Sequence, residues 1–312
     1  MADIQKPVHY DTISIGSGEG GKYVCWDRAS HGHKTAVIEH RWYGGSCPNV
    51  ACLPSKNLLY SAEQLHNART FAASGLLKVS GEIGVHIGKV RERKRQMVNE
   101  LAEMHKGVFK ATGAEMILGH ARLLDEHTVQ VDLDDDEKTT LTADHIILCT
   151  GSRAQVGDIS GLNEATPLTH VELLELEEVP SHLIIVGGGY SGIEFAQAWR
   201  RFGAEVTVLE RGDSILKNED KDVVDALLDL LGEEGVRFHT KAYITSVTGR
   251  SGQAVMLCGT QDAKPFKIEG SHILIATGRI PSENTLLLDL KDYADLILRY
   301  RYGELRPRDC RY

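Results

Sequence analysis

The sequence predicts an α/β chain of two three-layer units in series, and three observations carry that prediction. A short apolar strand, a glycine turn, a helix and a second strand follow one another from about residue 9. The same succession returns from residue 183. Each is closed far downstream by an apolar strand ending in Thr-Gly, at residues 146–151 and 273–278. Strands that alternate with helices in this way form parallel sheets covered on both faces.

In the first unit, residues 9–15 read as a strand that runs into Gly16, Gly18 and Gly21 in the order G-x-G-x-x-G. A helical stretch continues past Trp26 and Ala29, and a strand at residues 35–38 ends at Glu39. Glycines in that setting permit a tight turn and let backbone N–H groups approach a pyrophosphate at a helix N-terminus. The terminal acid, about 20 residues on, can accept hydrogen bonds from a ribose. Together these features predict a Rossmann-like nucleotide site.

Residues 44–56 then place Cys47 and Cys52 in one short segment, behind Gly44-Gly45 and ahead of Pro54-Ser55-Lys56. Such a pair can do redox work, bind metal or form a structural disulfide. Zinc sites add further Cys or His ligands at similar spacing, and none follows here. Residues five apart on a regular helix lie roughly 8–9 Å apart, beyond the approximately 7 Å that a disulfide can span. A Cys47–Cys52 bridge therefore needs a distorted first turn, which Pro48 and the preceding glycines allow. A cycling dithiol is the working reading, with two inert thiols as its alternative and no metal.

Residues 56–73 and 88–112 are expected as helices, the basic run 91–95 forming a solvated face. Residues 129–132 and 139–142 flank the acidic stretch 134–137 as a hairpin. A linker spans residues 157–180 and includes a Glu-rich stretch. Beyond it, strand 183–186 meets Gly187, Gly189 and Gly192, then a helix to Phe202 and a strand 205–209 ending at Glu210. Taken alone, Lys56 reads as an exposed helix lysine, Glu194 as a first-turn acid favoured by the helix dipole, and Tyr190 as core packing.

Composition narrows the function. The net charge of −9, without a basic stripe, argues against nucleic acid. No apolar run reaches membrane-spanning length, and the polar opening lacks a signal peptide's regions. Six cysteines without framework spacing fit a reducing cytoplasm, so a cytoplasmic location is expected.

The Gly-Gly-x-Cys-x4-Cys-x-Pro core and the two fingerprints together resemble the flavoprotein pyridine nucleotide-disulfide oxidoreductases. Ser55-Lys56 is similar to the dihydrolipoamide and mercuric branches of that family. Pro48 and Ala51 depart from it, standing where an aliphatic residue and a glycine are usual. The resemblance implies FAD in the first unit, served by Gly16, Gly18, Gly21, Glu39, Gly45, Ser46, Lys56, Thr150 and Gly151. It implies NADH or NADPH in the second, served by Gly187, Gly189, Tyr190, Gly192, Glu194, Glu210, Gly278 and Arg279. NADH is favoured because Glu210 would repel a 2′-phosphate, although Arg211 beside it blunts that argument. Cys52 is expected to face the flavin, Cys47 to attack a small disulfide or dithiol substrate, and Lys56 to pair with Glu194 near the flavin. Tyr190 would be an aromatic gate.

The expected division is 1–156 for FAD with the redox CxxxxC, 157–281 for NAD(P), and an aberrant tail over 282–312. That tail stands where the family continues with a Gly-Asp segment and a homodimerisation domain carrying a catalytic His-Glu pair. On this reading the dimerisation domain is missing. The alternatives are a thiol-independent NADH oxidase or diaphorase, or a truncated remnant that only binds nucleotide.

Overall fold

The computed structural model describes residues 7–133 and 137–282. The expected acidic tip and the expected aberrant tail, apart from residues 137 and 282, lie outside the described residues. The chain opens with β1 (Val8–Ile15), α1 (Glu19–Ser30) and β2 (Thr35–Glu39). Three helices follow: α2 (Ser46–Asn49), α3 (Cys52–Ala73) and α4 (Ile87–Thr112). Next come β3 (Glu115–Leu123), β4 (Thr128–Leu133), β5 (Lys138–Leu148), β6 (Ser152–Ala154) and α5 (His170–Leu173). The second nucleotide-type succession is β7 (His182–Val186), α6 (Tyr190–Phe202), β8 (Glu205–Leu209), α7 (Lys221–Glu233) and β9 (Val236–His239). Strands β10 (Ala242–Arg250), β11 (Ala254–Gln261), β12 (Lys264–Gly270), β13 (His272–Ile275) and β14 (Arg279–Pro281) end it.

The described residues gather into two compact units, 7–45 with 102–151 and 281–282, and 46–101 with 152–280. In the first, β1 lies between β2 and β5, parallel to both, and β3 extends the sheet parallel to β2. β4 pairs antiparallel with β3 and β5 and closes the ring. Its filling is β-branched and aromatic, with Tyr10, Ile13, Ile38, Val129 and Val131 buried together. The hairpin expected across residues 129–142 is the β4–β5 pair, with Asp132 opposite Lys138.

The second unit repeats the order. β7 lies between β13 and β8, and β9 follows β8, all parallel. Its strands are near-continuous apolar runs because both faces are covered. One face packs on α6 through Phe195, Ala196, Trp199 and Phe202, and Leu58, Ala62 and Leu65 of α3 join that same core. This shared core is why residues 46–101, assigned from sequence to 1–156, gather with 152–280. The antiparallel sheet β10–β11–β12 supplies Val247, Val255 and Leu257 to a further core with Ile184 and Ile273. Neither that sheet nor α7 was read from the sequence. Among the described residues no helix is long and apolar enough to cross a membrane.

Two expectations need correction. Helix α3 begins at Cys52, not at residue 56. Pro54 falls in its first turn, where a missing N–H loses no helical hydrogen bond. The basic run 91–95 is not simply a solvated face. Lys94 is 3% exposed and pairs with Glu175, Arg95 binds the same carboxylate at 2.7 Å, and Arg91 pairs with Glu177. The Glu-rich part of the expected linker is thereby clasped to α4. It also carries a helix of its own, α5, whose capping box joins Thr169 and Glu172.

Candidate functional site

Each unit builds the same cradle where its first strand meets its helix. Gly16 adopts φ +104°, and a Cβ there would stand 2.1 Å from the carbonyl oxygen of Cys149 at the end of the neighbouring β5. A Cβ on Gly21 would stand 2.5 Å from the Gly16 oxygen. Those two glycines are fixed by packing. Gly18 is different, because its Cβ would meet only one atom, at 3.8 Å. Its freedom from contact leaves space for a ligand. As the N-cap of α1 it donates no side-chain cap, so the first-turn N–H groups keep no side-chain acceptor.

The second cradle repeats the arrangement. Gly187 has φ +112°, with a Cβ position 2.4 Å from the Ala276 oxygen beside β13. Gly192 would meet the Gly187 oxygen at 2.1 Å, and Gly189 would meet nothing within 4 Å. Gly189 likewise leaves α6 without a side-chain cap. The first and last strands of each sheet are neighbours, so both turns lie at the point where strand order reverses and ligands of such sheets bind. The residues present therefore fit a dinucleotide in each cradle.

The two strand-end acids are bound differently. Glu39 is buried, and its Oε2 accepts from the Ser17 N–H (3.1 Å) and the Ser17 hydroxyl (2.6 Å). Its Oε1 accepts from the N–H groups of His40 (2.9 Å) and Arg41 (3.0 Å). These donors take up the roughly four lone-pair sites of a carboxylate. Glu210 accepts one bond per oxygen, from Gly188 N–H at 2.7 Å and Gly212 N–H at 2.6 Å. One lone pair on each oxygen stays available for a ribose diol. Glu210 lines a cavity of about 720 Å³ with the glycine turn, Tyr190, Arg211, Lys217 and Gly278.

The cysteine segment breaks as the sequence requires. Val50 and Ala51 both donate to the Ser46 oxygen at 2.9 Å, so the four-residue α2 ends before α3 begins. Cys47 lies in α2, half-buried, and Cys52 is the exposed first residue of α3, both as thiols. Pro48 sits within the single turn of α2, where its missing N–H costs no bond. Ala51, at φ −126° and ψ −102°, stands at the N-cap of α3 where a glycine is usual. One turn along α3, Lys56 shares the face of Cys52. Its Nζ lies 2.5 Å from Oε1 of Glu194, so the structure brings together the pair that the resemblance implies.

That ion pair is 60% and 41% exposed on its two side chains. Pairs this open contribute about 0–1 kcal/mol to stability. Lys56→Met is therefore expected to shift the denaturant midpoint very little. Urea titration checks this, and a clear loss of stability would make the pair part of the scaffold.

Other expected residues fall as follows. Gly45, at φ +78°, rests on the first cradle, with a Cβ position 2.6 Å from Gly18 Cα. Ser46 supplies the carbonyl that ends α2. Thr150 and Gly151 follow β5, and the Gly151 oxygen accepts from Ser282 N–H at 3.0 Å. Arg279 is committed to Ser152, donating from Nε to its hydroxyl at 2.8 Å, and burial holds its pKa below the usual arginine value.

Sequence reasoning missed two residues. Ser17 is fully buried and ties Glu39 to the following turn, accepting the Gly44 N–H at 3.0 Å. Lys22 is 1% exposed and donates to Glu19 (2.9 Å) and the Gly44 oxygen (3.2 Å), with His105 Nε2 at 3.1 Å. Ser17 lies at a variable position of the fingerprint and Lys22 just past its last glycine, so the pattern gives no signal for either. Burial pushes the Cys25 thiol up to about 12 and raises that of Cys149 as well, which keeps both protonated and unreactive.

Comparison with known proteins identifies relatives of the chain. The sequence profile described as "Pyridine nucleotide-disulphide oxidoreductase" matches residues 10–297, entering the stretch 282–312 that was expected to be aberrant. Dihydrolipoyl dehydrogenase of Mycoplasma pneumoniae is 33% identical over 289 residues, covering 90% of this chain and 60% of its own length. Mercuric reductase of Bacillus cereus is 32% identical over 280 residues, covering 89% of this chain and 43% of its own. Among solved structures, the Cu(II) complex of the HOCl-induced flavoprotein disulfide reductase RclA from Escherichia coli has a TM-score of 0.78. It is 27% identical and covers 89% of this chain and 58% of its own. The chain thus spans roughly half of the length of the relatives it matches. With the profile matched over most of its residues, the chain belongs to the pyridine nucleotide-disulphide oxidoreductase family.

Proposed function

We propose that the chain works as an FAD-dependent oxidoreductase that spends NAD(P)H to reduce a small disulfide through Cys47 and Cys52. The observation that carries the reading is the packing of α3 on α6. The helix that starts at a redox cysteine is held by Lys56 and Glu194 against the helix that starts at the second glycine cradle. FAD, when bound, supplies a two-electron relay between a dihydronicotinamide and a thiol pair.

The chain's own residues do the rest. Gly18 and the open N–H groups of α1 hold the flavin nucleotide's pyrophosphate, with Glu39 fixing the turn. Gly189 and the start of α6 hold that of the nicotinamide nucleotide. Cys52 would be the thiol that takes electrons from the flavin. Cys47, as thiolate, attacks the substrate disulfide, releasing one thiol and forming a mixed disulfide that Cys52 resolves. Overall, one NAD(P)H, one proton and one disulfide give NAD(P)+ and two thiols.

A visible absorption spectrum of the purified protein, before and after NADH and then NADPH, tests the reading. Bound flavin bleached by one nucleotide is the expected result. A colourless protein that gains no flavin spectrum on adding FAD overturns it.

The charge of Glu210 makes NADH the preferred nucleotide. Its carboxylate keeps one acceptor site per oxygen for the ribose hydroxyls and repels a 2′-phosphate. Glu210→Gln keeps the shape and removes the charge, leaving Arg211 and Lys217 on the same cavity. The NADH-to-NADPH ratio of kcat/KM is expected to fall by at least about tenfold, equal to 1.4 kcal/mol. An unchanged ratio would place the discrimination elsewhere.

A further inference from the structure

The two cradles differ at the residue between their first two glycines. It is Ser17 in the first and Gly188 in the second, and each donates its backbone N–H to the acid that ends the second strand. A side chain has no room at Gly188, where a Cβ would stand 2.8 Å from Ile215 Cγ2. Ser17 therefore adds a hydroxyl that the turn itself does not demand.

That hydroxyl is fully buried and has more partners than protons. Gly44 N–H donates to it at 3.0 Å and takes one lone pair. Its single proton then has two acceptors within reach, Glu39 Oε2 at 2.6 Å and the Trp42 oxygen at 2.8 Å. Serving one leaves the other. The Trp42 oxygen keeps the Gly45 N–H at 3.0 Å in either case, and Glu39 keeps three backbone N–H donors. A charged acceptor makes the stronger bond, so the proton belongs to Glu39 when no ligand competes for it.

The acids differ in the same sense. Glu39 is 7% exposed, whereas Glu210 is half-buried and within reach of water. A buried acceptor that loses its donor costs free energy, so the first acid needs a stand-in and the second does not.

We propose that the Ser17 hydroxyl is a two-position donor that yields Glu39 Oε2 to the adenosine ribose of the flavin nucleotide and turns to the Trp42 oxygen. Ser17 is thereby a positioning residue that acts through Glu39. The inference rests on the flavin reading of the first cradle given above, and it lets an acid that already has four donors take a ribose hydroxyl. When the ribose leaves, Ser17 returns to the carboxylate.

The test measures dissociation constants of FAD and of its adenosine 2′-deoxy and 3′-deoxy analogues by flavin fluorescence. It uses the full chain freed of flavin, as wild type, Ser17→Ala and Ser17→Cys. The first variant removes the hydroxyl. The second fills its space, so that water cannot replace it, and offers only a weak donor. In wild type, removing the ribose hydroxyl that meets Glu39 costs little, because Ser17 refills the place. In the variants the same removal is expected to cost at least about fivefold more than in wild type, the scale of one unsatisfied buried acceptor. A smaller ratio for both analogues overturns the handover and leaves the flavin reading intact. Failure of every form, wild type included, to bind FAD overturns the flavin reading and the handover with it.

A measurement on wild type alone is independent of how the variants fold. Residues 42 and 43 form the only Trp-Tyr pair in the sequence. Isotope labels on tryptophan carbonyl carbon and tyrosine nitrogen therefore give one NMR correlation, which reports the Trp42 carbonyl. FAD is expected to move that carbon downfield, as a gained hydrogen bond does, and one of the deoxy analogues to move it less. A resonance that FAD leaves in place, or that both analogues move as far as FAD does, overturns the proposal.

Discussion

Cys52→Ser is expected to end NADH-dependent thiol formation, with a loss of roughly 10³-fold or more, the scale on which a catalytic nucleophile is missed. A serine at the start of α3 keeps the size and the helix start, so flavin content and thermal stability should hold. Two of the remaining thiols cannot stand in. Cys25 and Cys149 are held protonated by burial, and both belong to the other compact unit. Turnover is read as thiol released from a small disulfide, and oxygen consumption is followed in the same samples. Thiol release undiminished in the variant would remove the cysteine pair from the mechanism. Persistent oxygen uptake without thiol release is the expected residual activity.

The second large effect separates the two cradles. Gly18→Val and Gly189→Val each fill the open side of a turn where a Cβ meets at most one atom, at 3.8 Å. Folding should survive, with stability within about 1 kcal/mol of wild type, because only an N-cap residue changes. Ligand approach should not. A side chain forced against a pyrophosphate costs about 1–3 kcal/mol, or roughly ten- to a hundredfold in affinity. Gly18→Val is expected to lose flavin, seen as lost visible absorbance, and to keep NADH binding. Gly189→Val is expected to keep flavin and lose NADH binding. Reversal of that pattern would exchange the two nucleotide assignments. Gly16→Ala provides the contrast. Its Cβ would collide with the Cys149 oxygen at a positive φ, so it should destabilise the fold itself by about 2–5 kcal/mol.

Much of this was legible in the sequence because its causes are local. A glycine turn between a strand and a helix has to omit Cβ atoms where two backbones touch, so Gly16, Gly21, Gly187 and Gly192 announce themselves by spacing. The apolar strands and the two Thr-Gly ends are equally local, and from them the repeated parallel sheet follows. The resemblance extended that reach to Lys56 and Glu194, although 138 residues separate them.

The misses share one cause. Lys94 looked like a surface charge and Glu175 like part of a linker, because a charged side chain carries no mark of its partner in its own stretch of chain. Ser17 occupies a variable position of the motif and Lys22 follows its last glycine, and only the folded turn shows that their polar atoms are buried and satisfied. Helix α3 was begun four residues late; it starts at Cys52, and Pro54 in its first turn lacks only an N–H that makes no helical bond.

By itself, then, the sequence determined the two nucleotide units, the cysteine pair and the acid ending each second strand, since each depends on steric or chemical demands met within a few residues. Tertiary structure alone decided that α3 shares a core with α6 and that the four donors around Glu39 become two around Glu210. Those facts depend on where distant segments meet, and packing, not local propensity, sets that meeting.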